Sequence, residues 1–227
     1  MGKLKYALLV ATLGVCTGAN AANLELSAGA DAWFVDAKGY AGEKHSFELR
    51  REYDNRYAFF AWMNLEHPLP IVPNLGVRYG SFDHTSNGIK ADFNYADAIG
   101  YYNVLDLTPL KIDAGVGLRF EDFAYKHASG DTSYNDVLPF AYGHGRFDLV
   151  GTAFSVDADV SFSELPFRDD TEFLDVKLGV EYRLGGSFIE WSVNGGYRYM
   201  YLTQDTSDYN SLTTIIKGPY AGVSATF

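Results

Sequence analysis

The sequence predicts an all-β chain that closes into a single antiparallel barrel crossing a membrane. Three observations carry that expectation. Segment after segment alternates apolar and polar residues at period two. Tyr (17) and Phe (16) supply nearly all of the 16% aromatic content, beside 23 Gly and only 7 Pro, a composition that favours strands over helices or disorder. No apolar run reaches the roughly 20 residues that a spanning helix needs. The balance of 29 acids against 18 Lys and Arg speaks against a nucleic-acid binder.

The first 21 residues differ from the rest. Lys3 and Lys5 form a basic head, 6–15 is apolar, and Ala19-Asn20-Ala21 supplies a small-residue cleavage site before Ala22. This reads as a Sec-type signal peptide over 1–21, followed by one domain over 22–227. Cys16, the only cysteine, falls inside the leader. A lipoprotein acceptor would want a small residue where Val15 stands, so Cys16 is better read as apolar filler. The mature chain then has no disulfide or thiol chemistry.

The first strand, 24–34, sets Leu24, Leu26, Ala28, Ala30, Ala32 and Phe34 against Glu25, Ser27, Gly29 and Asp31. Successive strand side chains point to opposite faces, so one face is apolar and the other carries charge. The same alternation marks 110–121, 154–163, 174–183 and 189–200, while 56–66, 75–84, 92–105 and 137–147 need their charges to set the parity. The last strand runs from about 213 to 227. That makes ten strands, each near the ~9–11 residues of a tilted transmembrane strand. Eight stays open if one pair remains outside the bilayer. Short connections at 67–74, 106–109, 148–151 and 184–187 alternate with longer polar ones at 37–55, 85–91, 127–136, 164–172 and 202–212. Short periplasmic turns and longer outer loops are the outer-membrane barrel pattern, with both termini periplasmic.

A soluble sandwich would also alternate, so the faces decide. The apolar face is free of charge through the middle of every strand, where an Arg or Lys would cost roughly 2–4 kcal/mol in lipid. Asp36, Asp83, Asp122 and Lys217 share its parity only at the outer ends. Aromatics gather near strand ends: Phe34, Tyr57, Tyr125, Tyr199 and Tyr201 toward the loops, Tyr102, Phe154, Tyr182 and Phe227 toward the periplasm. Pro139 and Pro219 each remove a ladder donor, but both lie toward the outer ends of their strands, where a bulge is tolerable.

Phe227 follows Ala225, Val223 and Ala221 at alternate positions. This resembles the terminal signature of bacterial outer-membrane proteins, which implies the barrel-assembly machinery as a partner through this strand. The stretches Leu-Glu-His-Pro-Leu-Pro-Ile-Val-Pro-Asn (65–74) and Tyr-Tyr-Asn-Val-Leu-Asp (101–106) are similar to those of a small outer-membrane barrel family. That family occurs in Gram-negative bacteria using the GlyGly-CTERM sorting system. The resemblance implies address and fold and brings no activity with it.

The inward charges are the candidate site. By parity the bases are Arg56, Arg78, Lys111, Arg119, Arg146, Lys177, Arg183 and Arg198. The acids are Glu25, Asp31, Glu66, Asp97, Asp113, Glu121, Asp157, Asp159, Asp175, Glu181 and Glu190. Mixed signs should pair across the interior, and Trp33, Phe60, Trp62, Tyr101 and Tyr142 would fill a narrow ten-stranded lumen. The expectation is a plugged, non-enzymatic barrel with a structural or surface-interaction role. A narrow channel for small hydrophilic solutes is the alternative, and a membrane-embedded hydrolase the third.

Chemistry beyond that has little support in the sequence. His144 and His84 point inward; His84 beside Asp83 is the nearest imitation of a rim protease. Asp157-Ala-Asp159-Val-Ser161 spreads along a wall and does not wrap an ion, and the loop at 130–136 reads as solvated surface. No helix follows Gly115-x-Gly117 or Gly143-x-Gly145 to hold a phosphate. No metal or other cofactor is expected. The expected surroundings are outer-membrane lipid and lipopolysaccharide, with the chain a monomer and no nucleic acid involved. The charged loop 37–55 could meet a surface partner.

Overall fold

A computed structural model describes residues 24–41, 51–52, 57–86, 89–127, 130–164, 171–204 and 212–227. The leader 1–21, Arg56 and most of loop 37–55 lie outside the described residues. The strands are β1 (Glu25–Phe34), β2 (Asp36–Ala41), β3 (Arg51–Glu52), β4 (Tyr57–Glu66), β5 (Asn74–Ser86) and β6 (Ile89–Leu107). They continue with β7 (Leu110–His127), β8 (Gly130–Asp148), β9 (Phe154–Glu164), β10 (Thr171–Gly185), β11 (Glu190–Gln204) and β12 (Leu212–Thr226).

Every pairing is antiparallel: β4 to β12 follow chain order, β1 pairs with β4, and β12 returns to β1, with Ser27 opposite Thr226 and Trp33 opposite Tyr220. β2 continues along β12 in the same register, Asp36 opposite Lys217, so β1 and β2 are one barrel strand broken at Val35. β3 only caps β2. The twelve strands thus make a closed barrel of ten. Closure leaves no sheet edge in lipid, which is what a bilayer demands of strands.

Period two sorts the wall. On β7, Val116, Leu118 and Phe120 are 70%, 45% and 47% exposed on the lipid face, while Arg119 and Glu121 between and beyond them are buried at 1% and 3%. Asp36 and Lys217, outward by parity, sit opposite each other at the outer end.

One expectation needs correction. The loops at 85–91 and 127–136 are the ends of strands: β5 reaches Ser86, β6 starts at Ile89, β7 reaches His127 and β8 starts at Gly130. β6 and β8 have 19 residues where β9 has 11, about 25 Å more along the strand at ~3.3 Å per residue. β8 meets β9 only from Ala141 inward, so β5 to β8 rise above their neighbours on the outer side. Neither proline makes a bulge, and the structure accommodates both at interrupted pairings. Pro139 lies beyond the last β8–β9 pair, its carbonyl accepting from Ser163 Oγ at 2.7 Å. Pro219 stands opposite the break between β1 and β2, where the ladder is already interrupted and Trp33 Nε1 donates to the Gly218 carbonyl at 3.1 Å.

Candidate functional site

The interior has two halves. Toward the outer end the inward positions are apolar and buried: Val35, Phe82, Phe93, Leu138, Phe140, Phe173, Met200, Leu202 and Ile216. Glu121 is buried in the same half. Parity put these positions inside, but reading the inward face as uniformly polar does not hold here.

A layer of paired charges lies beneath. Arg119, from β7, donates Nε and Nη2 to the two oxygens of Asp97 on β6 at 2.8 and 2.9 Å, and Nη2 also reaches Asp175 on β10 at 3.2 Å. Arg198, from β11, donates to both oxygens of Asp175 at 2.9 and 2.6 Å and to the Tyr95 hydroxyl. Both guanidinium groups are stacked on rings. Arg119 sits 4.1 Å from the Tyr95 centroid and 4.4 Å from that of Phe173; Arg198 sits 4.2 Å from Phe60 and 4.9 Å from Trp33. Two cations and two anions leave the layer neutral, with every charge held bidentately or shared.

Inward from the layer the contacts loosen. Arg78 donates to Asp159 at 2.8 Å and to Ser161 at 3.3 Å, and lies over Tyr142; Lys177 pairs with Asp31. Below them opens a vestibule of about 440 Å³ at the periplasmic end. Lys111 pairs with Glu66 at 2.7 Å, Arg146 with Glu181 at 2.8 Å and with Asp148 at 3.2 Å, and Arg183 with Asp148 at 3.5 Å. Asp157 stands 3.8 Å from Arg146, and Glu25 and Glu190 line the mouth.

His144 is held on one side by Asp113, 3.0 Å from Nδ1, while Nε2 faces Asp157 at 3.7 Å. The imidazole therefore sits between two carboxylates and not against a hydroxyl that it could activate. Among the described residues, no group of three or more His, Cys, Asp or Glu is arranged to hold a metal ion. The side chains of Asp83 and His84 lie outside what the structure describes.

The sequence named most of these charges and, among the rings that clamp them, Trp33 and Phe60, but not Tyr95, Phe140 and Phe173. Their parity with Asp97, Tyr142 and Asp175 was the available signal. At the terminus, Val223 and Phe227 are exposed on the lipid face, and Ala225 is covered, cross-strand from Trp191 and Ala28.

A family described as the outer membrane protein β-barrel domain matches residues 7–218. The chain belongs to that family. Its place is the outer membrane of a Gram-negative bacterium. No curated protein sequence matches it. Among solved structures it is similar to the outer-membrane protease OmpT from Escherichia coli, with a TM-score of 0.53 and 12% identity over 90% of this chain and 98% of that one. It is also similar to Neisserial surface protein A, with a TM-score of 0.47 and 14% identity over 89% and 97%. A third is Ail, the attachment invasion locus protein of Yersinia pestis, with a TM-score of 0.41 and 10% identity over 90% and 99%. At these identities the likeness to OmpT shows the barrel fold and nothing of its activity.

Proposed function

We propose that this chain is a closed, non-enzymatic outer-membrane barrel whose role is structural or lies at its outer surface. The observation that carries the reading is the Arg119 layer: a guanidinium 1% exposed, bound to Asp97 and Asp175, with packed apolar side chains on its outer side. An ion crossing the lumen would have to pass both. The raised wall of β5 to β8 supports the outer surface as the working face. The assembly machinery acting on the C-terminal strand, a wall set in lipid and lipopolysaccharide, and a monomeric state go with this reading. The stretches 65–74 and 101–106 favour the small family associated with GlyGly-CTERM sorting.

The test is single-channel recording of the refolded protein in a planar bilayer. Silence from demonstrably inserted barrels is the expected result. Discrete, reproducible openings would overturn the closed-lumen reading and put the solute channel in its place.

A further inference from the structure

The segment 67–73 lines no part of the vestibule, yet its geometry is closely specified. It forms the β4–β5 turn, Pro68-Leu-Pro-Ile-Val-Pro73, and from Pro68 to Val77 there is no charged residue. Leu69, Ile71 and Val72 are 60%, 87% and 47% exposed. The turn does not hang into the periplasm. Pro73 lies over Gly100, where an added Cβ would meet its ring atoms at 3.7 Å, and the Tyr102 hydroxyl donates to the Ile71 carbonyl at 2.9 Å. Gly100 and Tyr102 have lipid-facing parity, because Tyr101 between them lines the lumen. The turn is therefore folded back against the outer wall, level with the periplasmic aromatic belt.

Part of its backbone is satisfied within the protein. Pro68, Pro70 and Pro73 have no N–H to satisfy. The His67 N–H donates to Asn74 Oδ1 at 3.1 Å, and the Leu69 N–H donates to His67 Nδ1 at 3.2 Å. His67 Nε2 lies 3.1 Å from the Pro73 carbonyl, so one tautomer, Nε2–H, serves both ring contacts. Asn74 in turn donates to Asn103, which donates to Asp113, pinning the turn to the interior. These bonds fix the shape of the turn against the wall, and backbone groups bonded within the protein are the ones that tolerate contact with lipid.

We propose that this turn is a lipid anchor: Leu69, Ile71 and Val72 insert at the headgroup–acyl boundary of the periplasmic leaflet. The occupant is phospholipid because the patch continues the lipid-facing wall through Leu75, Val77 and Tyr102 without a polar break. The inference is independent of whether the lumen conducts.

The test places one spin label at a time on the protein refolded into phosphatidylcholine vesicles. Cys16 is the only native cysteine, so it is replaced by Ser wherever the leader is kept. Labels go at Ile71→Cys, at Val116→Cys as the lipid reference and at Glu25→Cys as the aqueous one, with heat-modifiable gel mobility confirming a folded barrel each time. The expected ratio of oxygen to nickel-chelate accessibility at position 71 is several-fold above that at position 25, approaching that at 116. A ratio equal to that at position 25 overturns the anchor. So does loss of access to both reagents, which would mean that a second copy of the chain covers the turn. Adding Tyr102→Phe, which removes only the clamping hydroxyl, should lower the ratio at 71; an unchanged ratio would overturn the hydroxyl's part in holding it.

Discussion

The two halves of the lumen share one wall but differ in what they hold. On the outer side of Arg119 the side chains pack as in a soluble core; on the periplasmic side, charges face one another across about 440 Å³. The ion pairs differ accordingly. Arg119 and Asp97 are 1% and 0% exposed at their side chains, while Arg146 and Asp148 are 25% and 34% exposed. A pair removed from water gives up its hydration and must recover it entirely from its partner; a half-wet pair loses little hydration and gains little from pairing. On the proposed reading the seal of the lumen rests on the outer half, and the vestibule tolerates substitution.

The largest effect expected is therefore at Arg119. Arg119→Ala strands Asp97 and leaves Asp175 with Arg198 alone, at a cost of about 3–5 kcal/mol in denaturant unfolding from vesicles. Combining Arg119→Met with Asp97→Leu should recover most of it, since apolar replacement of a whole buried pair is close to neutral. Neither variant should conduct, because Leu138, Phe140, Phe173 and Met200 still fill the outer half. Openings in Arg119→Ala alone would show that the charge layer, not the apolar packing, is the seal.

A smaller loss is expected at Gly117. A Cβ there would lie 2.3 Å from Phe140 Cζ, so the ring occupies the space a side chain would take. Gly117→Ala should cost about 1–3 kcal/mol by overpacking, whereas Gly145→Ala, with nothing within 4 Å, should leave stability unchanged. Equal effects in the same unfolding assay would mean that the Phe140 ring moves freely and the outer half is not tightly packed.

Alternation made the two faces legible, because a parity shift would send Arg119 or Asp175 into lipid. Depth along the barrel was not legible. Period two says that Leu138 and Met200 point inward; only the stagger between strands brings them together at the outer end. The same stagger brings Arg119 to Asp175, 56 positions away in sequence. The segments holding Phe82, Phe93 and Leu138 carry weak parity because their inward positions turn apolar at the outer end, while polar Ser81, Asp83, Asp92 and Asn94 stand on the outward side of Phe82 and Phe93; that inversion is itself the trace of a packed lumen. The ends of β5 and β7 read as loop in the sequence because Thr85-Ser86-Asn87-Gly88 and Ala128-Ser129-Gly130 are rich in turn residues. Yet Asn-Gly between two strands is also the strongest short signal for a tight hairpin.

The smallest effect is expected in the vestibule. Lys111 and Glu66 meet at 2.7 Å, but their side chains remain 24% and 23% exposed. Lys111→Ala should cost less than about 1 kcal/mol, because water takes up much of what the pair gives. That small loss should shrink further between about 0.1 and 1 M salt, as the screening length falls from about 10 to about 3 Å. The Arg119→Ala loss should not shrink, since no salt reaches that pair. A salt-insensitive loss above about 3 kcal/mol at Lys111 would mean that the vestibule is as dry as the layer above it, and that the two halves of the lumen are one.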